Sequence, residues 1–571
     1  MSRTPYISKS KYLQEQQCSK LLWSAYNAKH LFPDVDAALQ AVFDQGHEVG
    51  SLAKRMFPNG IEIKTDPADF EGAIRLTQEA LLLRRPIFEA AVSANGGFAR
   101  ADILNPIGEH GWEIIEVKST TGVKDIHIPD LAFQAWVFTE AGIEIRRCVL
   151  CHINNAFVRH GEIDPQQFFT LRDVTAAVAE NSRHTEEHVG QMGEIIRSAT
   201  CPEIQIGNHC DSPYTCSLHD HCWSFLPARN VLDLYRETKS RGMDLLKRGV
   251  LRIADIPDDY PLSDKQTIQR LTAISGKPHA NRSQIETFLN TLEYPLHFLD
   301  FETFSTAIPM FDGTRPYEQI PFQFSLHIVR EVGATPEHRK FLADGRNDPR
   351  SEFMRHLKSA VEPSGSILVF NASFEKGRLK ECAEVLPENE SWVEAVNRRV
   401  VDLLIPFKRF NFYHPDQCGS ASMKLVLPAL TGKDCKSLDI QEGNTASREF
   451  IRVTFTDVTA LERQRVRLAL DQYCGQDTEG IHARRARLSA LAESLHGRGR
   501  VRRHLRRPRA QRRHGHGEHR RLETPNPVAQ GWRVSGKRAF SGLRGFRCQG
   551  TKFNAVEPSR QHEKVARFDD S

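Results

Sequence analysis

The chain has 571 residues, of which 40% are hydrophobic, 26% charged and 8% aromatic; this is the composition of a soluble protein with two or more domains and excludes collagenous, disordered and small disulfide-stapled classes. The net charge of +5 is unevenly placed, because residues 481–571 hold 23 Lys+Arg against 7 Asp+Glu and leave the first 480 residues near −11. A global positive field for nucleic acid is thereby excluded, and any such surface must be a local groove or a metal-dependent cleft.

No apolar run approaches the roughly 18 residues that span a bilayer, and Met1–Tyr6 open no signal peptide. A cytoplasmic protein with no membrane partner is expected. Apolar spacing over residues 34–57 predicts a helix that stops at Pro58-Asn59-Gly60. Residues 98–104 and 112–118 predict strands around a turn-rich segment, 105–111, and so a hairpin. A helix over about 131–141, a strand near 147–153 and helical sequence up to a cysteine loop give residues 1–225 an αβ order. Residues 226–290 read as a polar helical connector with breaks at Pro257, Pro261 and Pro278. A second αβ pattern over 291–480 has strands at 294–303, 320–329 and 366–371, with helices after Phe374 and over about 462–477. From 481 the sequence turns to Arg, His and Gly at low complexity, where no fold is assigned. This tail reads either as a basic extension that neutralises phosphates or as an out-of-frame stretch that truncates the helix before it.

In the predicted hairpin Glu116 and Lys118 are two apart on one strand and share a face, with Asp102 on the partner strand. Carboxylates and an ammonium at one strand pair can hold a divalent metal and stabilise charge on a phosphate. The arrangement resembles the PD-(D/E)XK core of RecB-like and CRISPR-associated four-cysteine nucleases. That resemblance implies a restriction-endonuclease-like domain over residues 1–225, in which Asp102 and Glu116 bind the metal and Lys118 is the catalytic lysine. It also makes His47 a metal ligand and places Gln134 in a Gln-x-x-x-Tyr helix motif, with Phe138 where the motif has tyrosine.

Cys210, Cys216 and Cys222 are spaced Cys-x5-Cys-x5-Cys, and Cys18 lies far upstream. Four thiolates is the number a [4Fe-4S] cluster requires, with a four-cysteine zinc site or unliganded cysteines as the alternatives. Cys201 could replace one ligand. Cys148 and Cys151, three apart on a strand, point to opposite faces and cannot share a metal. The one-plus-three layout is similar to the iron–sulfur staple of the four-cysteine nucleases, where the cluster ties the first helix to the last segment.

Asp300 and Glu302 again share a strand face, Glu375 stands where a strand runs into a helix, and Tyr473 and Asp477 lie at i and i+4 on one helix face. Four carboxylates from three elements can hold two divalent ions that clamp a phosphodiester displacement. This is similar to DEDD exonucleases of the RNase H-like fold with Tyr-x-x-x-Asp in the third motif, which implies metal binding by Asp300, Glu302, Glu375 and Asp477 and orientation of water by Tyr473. Glu375 stands where those enzymes usually have aspartate. Both halves together resemble an uncharacterised bacterial family of unknown function that joins a RecB-like module to an RNase H-like one. The expected protein is therefore an α/β, Mg²⁺- or Mn²⁺-dependent nuclease with an iron–sulfur cluster, acting on nucleic acid and on DNA before RNA. A nucleic-acid-binding module with decayed catalytic sites is the alternative.

Overall fold

The computed structural model describes residues 6–235, 239–432 and 438–493. The Arg-rich tail beyond 493 lies outside the described residues. The sequence opens with α1 (Lys9–Gln17) and α2 (Ser19–Asn27). The next helix, α3 (Ala37–Lys54), starts where the Asp36 carboxylate accepts from the Leu39 N–H, a side-chain cap of the kind that sets helix starts. α4 (Phe70–Leu81) and α5 (His127–Glu140) pack on the first sheet's core, as do the later helices Thr175–Ser182 and Thr185–Arg197 through Val178, Val189, Met192 and Ile196.

That sheet contains β1 (Ile7–Ser8), β2 (Ile61–Glu62), β3 (Ile87–Ala94), β4 (Gly97–Ile107), β5 (Gly111–Lys118), β6 (Ile145–Ile153) and β7 (Phe169–Asp173). Its order is β2-β3-β4-β5-β6-β7, with β1 beside β4. β3, β4 and β5 run antiparallel, whereas β5 and β6 are parallel. Parallel neighbours need a crossover, and α5 supplies it. Alternation divides the two faces of β5. Ile115 packs with Ile103 and with Val49, Leu52 and Ala53 of α3, while Ile114 packs with Leu131, Phe133 and Val137 of α5. Glu116 and Lys118 fall on the Ile114 side, under α5.

The second sheet holds β9 (Leu296–Phe304), β10 (Ile320–Val329), β11 (Glu337–Leu342), β12 (Ile367–Val369) and β13 (Val400–Asp402) in the order β11-β10-β9-β12-β13. β8 (His279–Ala280) and β14 (Phe412–Tyr413) form a separate pair. The strand expected at 366–371 is shorter because Asn371 adopts φ +89°. Asp402 holds that corner, its Oδ1 accepting from the N–H groups of Asn371 (3.0 Å) and Leu404 (2.9 Å). The final helix runs from Ala460 to Glu493, past the boundary expected at 480, and buries Ile481, Arg484, Leu488 and Ala492. The helix carrying Asp477 thus continues to Glu493, the last described residue, its apolar stripe running through 488 and 492 although the surrounding sequence has turned arginine-rich.

The connector is a packed element. It has its own small core of Val231, Leu234, Leu245, Ile253 and Ile256. Lys265 Nζ donates to the Lys408 carbonyl at 2.8 Å and the Tyr235 and Phe410 rings meet at 4.8 Å, so the connector docks on the second domain. The two halves also touch directly. Arg159 Nη1 donates to the carbonyls of Pro309 and Met310, both at 2.8 Å, and the Tyr317 hydroxyl donates to the Ser119 carbonyl, next to Lys118.

His297 of β9 is fully buried. Its Nε2 accepts from the Glu362 N–H at 3.2 Å, which assigns the ring proton to Nδ1, facing the Ser366 carbonyl at 3.3 Å. Burial pushes its pKa down to about 4. Between pH 6.5 and 4 the unfolded chain binds a proton that the folded chain refuses, so this contribution is complete above pH 6.5 and is lost as the pH falls. Urea unfolding at pH 7 and pH 5 checks this: the parent's advantage over His297→Gln should shrink by about 2 kcal/mol at the lower pH, and an unchanged difference would refute it.

Candidate functional site

Strand alternation puts Asp300 and Glu302 on one face of β9, with Ser325 and Gln323 of β10 as their cross-strand partners. The helix 460–493 covers this face and contributes Tyr473, Cys474 and Asp477. A carboxylate oxygen of Asp300, one of Glu302 and the Cys474 Sγ all lie within 4.8 Å of one another. The helix Gly443–Phe455 begins here too, since a Cβ on Gly443 would stand 3.4 Å from Glu302 Oε2. Glu302, Glu375, Tyr473 and Asp477 are buried, and Asp300 is partly exposed, so solvent reaches the site at Asp300.

Asp300 and Glu302 are raised well above the usual carboxylate range, first by burial and then by neighbouring charge, that of Asp477 on Asp300 and those of Asp300 and Asp477 on Glu302. Glu375 is raised by burial and by Asp300. Burial pushes Asp477 up to about 6 against the opposing pull of Arg484, a hydrogen bond from Tyr473 and the charge of Lys424. Asp477 and Glu375 therefore stand near enough to Asp300 for their charges to act on one another, and Tyr473 bonds Asp477, while the tight group of donors is Asp300, Glu302 and Cys474. One oxygen of Glu375 is buried with no hydrogen-bond partner among the described residues. Concentrated anionic oxygens of this kind fit hard divalent cations, which would supply the missing positive charge.

In the first half, Asp102, Glu116 and Gln134 are all buried. Asp102 Oδ2 accepts from the Val117 N–H at 2.8 Å, and Gln134 Nε2 donates to Glu116 Oε2 at 2.9 Å. Lys118 Nζ donates to Glu116 Oε1 (3.0 Å) and to Asp130 Oδ2 (2.6 Å). Lys9, from the start of α1, donates to the same Glu116 oxygen at 2.7 Å. Burial would discharge Lys118, but Asp130, Glu116 and Asp102 outweigh it and hold the ammonium well above its ordinary value. Three carboxylates facing two ammoniums still carry net negative charge, which fits one divalent cation better than two. Phe138 is a core residue.

His47 does not join this group as expected. α3 packs on the opposite face of the sheet from Gln134 and Asp130, through Val49, Leu52 and Ala53, and His47 stands exposed on it. Its sequence position on the helix before the hairpin was compatible with a ligand, but the apolar stripe of α3 governs which way the helix faces.

Cys18, at the α1–α2 junction, gathers with Cys216 and Cys222 around Leu21 and Leu218, and Cys210 is near enough for its charge to bear on all three. Burial, then Cys18, Cys210 and Cys222, push the Cys216 thiol up to about 12 against a backbone hydrogen bond from Leu218. Cys18 is raised by burial and then by Cys210 and Cys222, against backbone N–H groups of Leu21 and Lys20. Gln17 Nε2 bonds the carbonyls of His209 and Tyr214, each at 2.7 Å, and ties α1 to the loop. Burial raises the Cys18, Cys216 and Cys222 thiols first, and neighbouring thiols add to it; thiols gathered in this way fit a thiolate-binding metal or cluster, which stabilises the deprotonated form. Cys201 sits beside Cys18 and Cys222. Cys148 and Cys151 belong to different core clusters on opposite faces.

Four residues at these sites were not singled out in the sequence. Asp130 is four before Gln134 and Cys474 three before Asp477, helical spacings that could have found them. Lys9 and Asp402 carry no local signal. Residues 297–422 match a family model described as Domain of unknown function (DUF2779), a span that holds Asp300, Glu302 and Glu375 and ends before Tyr473. The chain is similar to the Mycoplasma pneumoniae protein "Uncharacterized protein MG366 homolog", with 28% identity over 207 residues, 33% of this chain and 31% of that protein. It is also similar to "Uncharacterized protein MG366" of Mycoplasma genitalium, with 25% identity over 234 residues, 36% of this chain and 34% of that one. The chain spans about a third of the length of these curated relatives.

Proposed function

We propose that the protein is a metal-dependent nuclease that hydrolyses phosphodiester bonds in nucleic acid, DNA before RNA, with an RNase H-like exonuclease site in its second half and a RecB-like PD-(D/E)XK site in its first. The observation that carries this reading is the convergence of Asp300, Glu302, Glu375 and Asp477 with Tyr473. When bound, Mg²⁺ or Mn²⁺ supplies Lewis acidity and charge neutralisation for an in-line displacement. The chain's own part is to hold the ligands: β9 fixes two, the corner at Asn371 aims Glu375, and Tyr473 holds Asp477 by its hydroxyl. In the first site Lys118 is placed to stabilise charge on a phosphate. The four cysteines are proposed to bind a [4Fe-4S] cluster.

Assay of single-strand degradation with Mn²⁺ and with EDTA tests the reading, with 3′-terminal mononucleotides expected from the second site. With that site silenced by Asp300→Ala and Glu302→Ala, Lys118→Ala should lower the remaining metal-dependent cleavage about a hundredfold or more, and the iron content should stay unchanged. Equal rates with and without Lys118 would reduce the hairpin to a charged structural element. One observation favours a second reading for the first half: Glu116 and Asp130 are already neutralised by Lys9 and Lys118, as in a site that binds nucleic acid without cutting it.

A further inference from the structure

The metal site of the second half contains a donor that no carboxylate motif accounts for. Cys474 is fully buried, and its Sγ stands within 4.8 Å of oxygens from both Asp300 and Glu302. It lies three residues before Asp477, on the same helix face. The sulfur also points at the strand, 4.0 Å from the Asp300 carbonyl. Glu375 provides an independent sign of a ligand, since one oxygen of this buried side chain has no hydrogen-bond partner among the described residues and Asp300 is the neighbour whose charge bears on it most.

We propose that Cys474 is a ligand in this site, and that the ion it shares with Asp300 and Glu302 is a thiophilic divalent cation of the Zn²⁺ class in preference to Mg²⁺. The proposal rests on reading the carboxylate cluster as a metal centre. A sulfur and an oxygen on one tetrahedral Zn²⁺ stand roughly 3.6 Å apart, so closure by about an ångström brings the three donors to bonding distance. Thiolate selects Zn²⁺, Cd²⁺ and Co²⁺, whereas Mg²⁺ takes oxygen and water and passes it over. On binding, the sulfur–metal bond forms as the thiol proton leaves to solvent, together with any proton that Asp300 or Glu302 holds in the metal-free site, and no electron is transferred.

The test is a Cd²⁺ titration of the full chain, read by thiolate-to-Cd²⁺ ultraviolet absorption. The parent is compared with Cys474→Ser, a comparison that cancels the signal of the four cluster cysteines. The parent should show one additional thiolate–Cd²⁺ band, and Zn²⁺ affinity should fall at least about tenfold in Cys474→Ser with Mg²⁺ affinity unchanged. Asp300→Asn, which keeps the thiol, should weaken the same band, and this holds the test open if the serine variant does not fold. Equal bands in parent and Cys474→Ser, or equal losses of Zn²⁺ and Mg²⁺ affinity, would overturn the assignment. A missing band with intact Mn²⁺-dependent cleavage defeats the cysteine ligand alone, and a band without cleavage supports the ligand and defeats the nuclease reading of this site.

Discussion

Asp477→Asn is expected to lower metal-dependent cleavage by the second site at least about a thousandfold, and to raise the thermal midpoint of the metal-free protein. The opposite signs have one cause. In the absence of metal, Asp477 shares a buried space with Asp300 and Glu302, and burial pushes its pKa up to about 6. An acid whose folded value is raised is most favourable below its unfolded value near 4, loses stability as the pH rises through 6 and carries the full penalty above that. At pH 8 the penalty is on the order of 2–3 kcal/mol, a figure that already includes the favourable pull of Arg484. The amide removes the charge and keeps the shape, so calorimetry in EDTA at pH 8 should show the variant melting a few degrees higher. Mn²⁺ should reverse the order by stabilising the parent more than the variant. A variant that melts lower than the parent in EDTA would show that the carboxylates are already neutralised by the protein.

Cys216→Ser is expected to have the larger structural effect. It should abolish the iron and acid-labile sulfide content and unfold much of residues 6–225. The four thiols come from two ends of that region, and the apolar core near Cys216 is small, Leu21 and Leu218 with Leu31 and Phe32 around them. Structural metal or cluster binding contributes folding free energy outright. The loss should propagate to the first site, because Gln17 fastens α1 to the loop and α1 delivers Lys9 to Glu116. Iron and sulfide analysis, with limited proteolysis of parent and variant, checks this. Stoichiometric zinc without iron in anaerobically prepared parent would replace the cluster by a four-cysteine zinc site, and an undisturbed proteolytic pattern in the variant would remove the structural role altogether.

How much was legible can be read residue by residue. Strand alternation is local, and it alone put Glu116 with Lys118 and Asp300 with Glu302 on shared faces; β5 and β9 obey it. The same rule separated Cys148 from Cys151. The helical period paired Tyr473 with Asp477, and the spacing of the cysteines marked them as one candidate ligand set. Other features needed the packed chain. His47 faces solvent because its helix buries the opposite stripe, and no local pattern says which sheet face that helix covers. The arginine-rich sequence after 480 concealed the continuation of a helix whose Ile481, Leu488 and Ala492 meet residues as distant as Ile285 and Phe298. Lys9 and Asp130 reach Glu116 and Lys118 from other elements, and Tyr317 reaches Ser119 from the other half of the chain. Sequence by itself determined which residues share a face of an element, because that follows from the repeat of the backbone. Which faces meet, and hence which charges sit together out of water, was decided by tertiary burial of apolar surface contributed from widely separated segments.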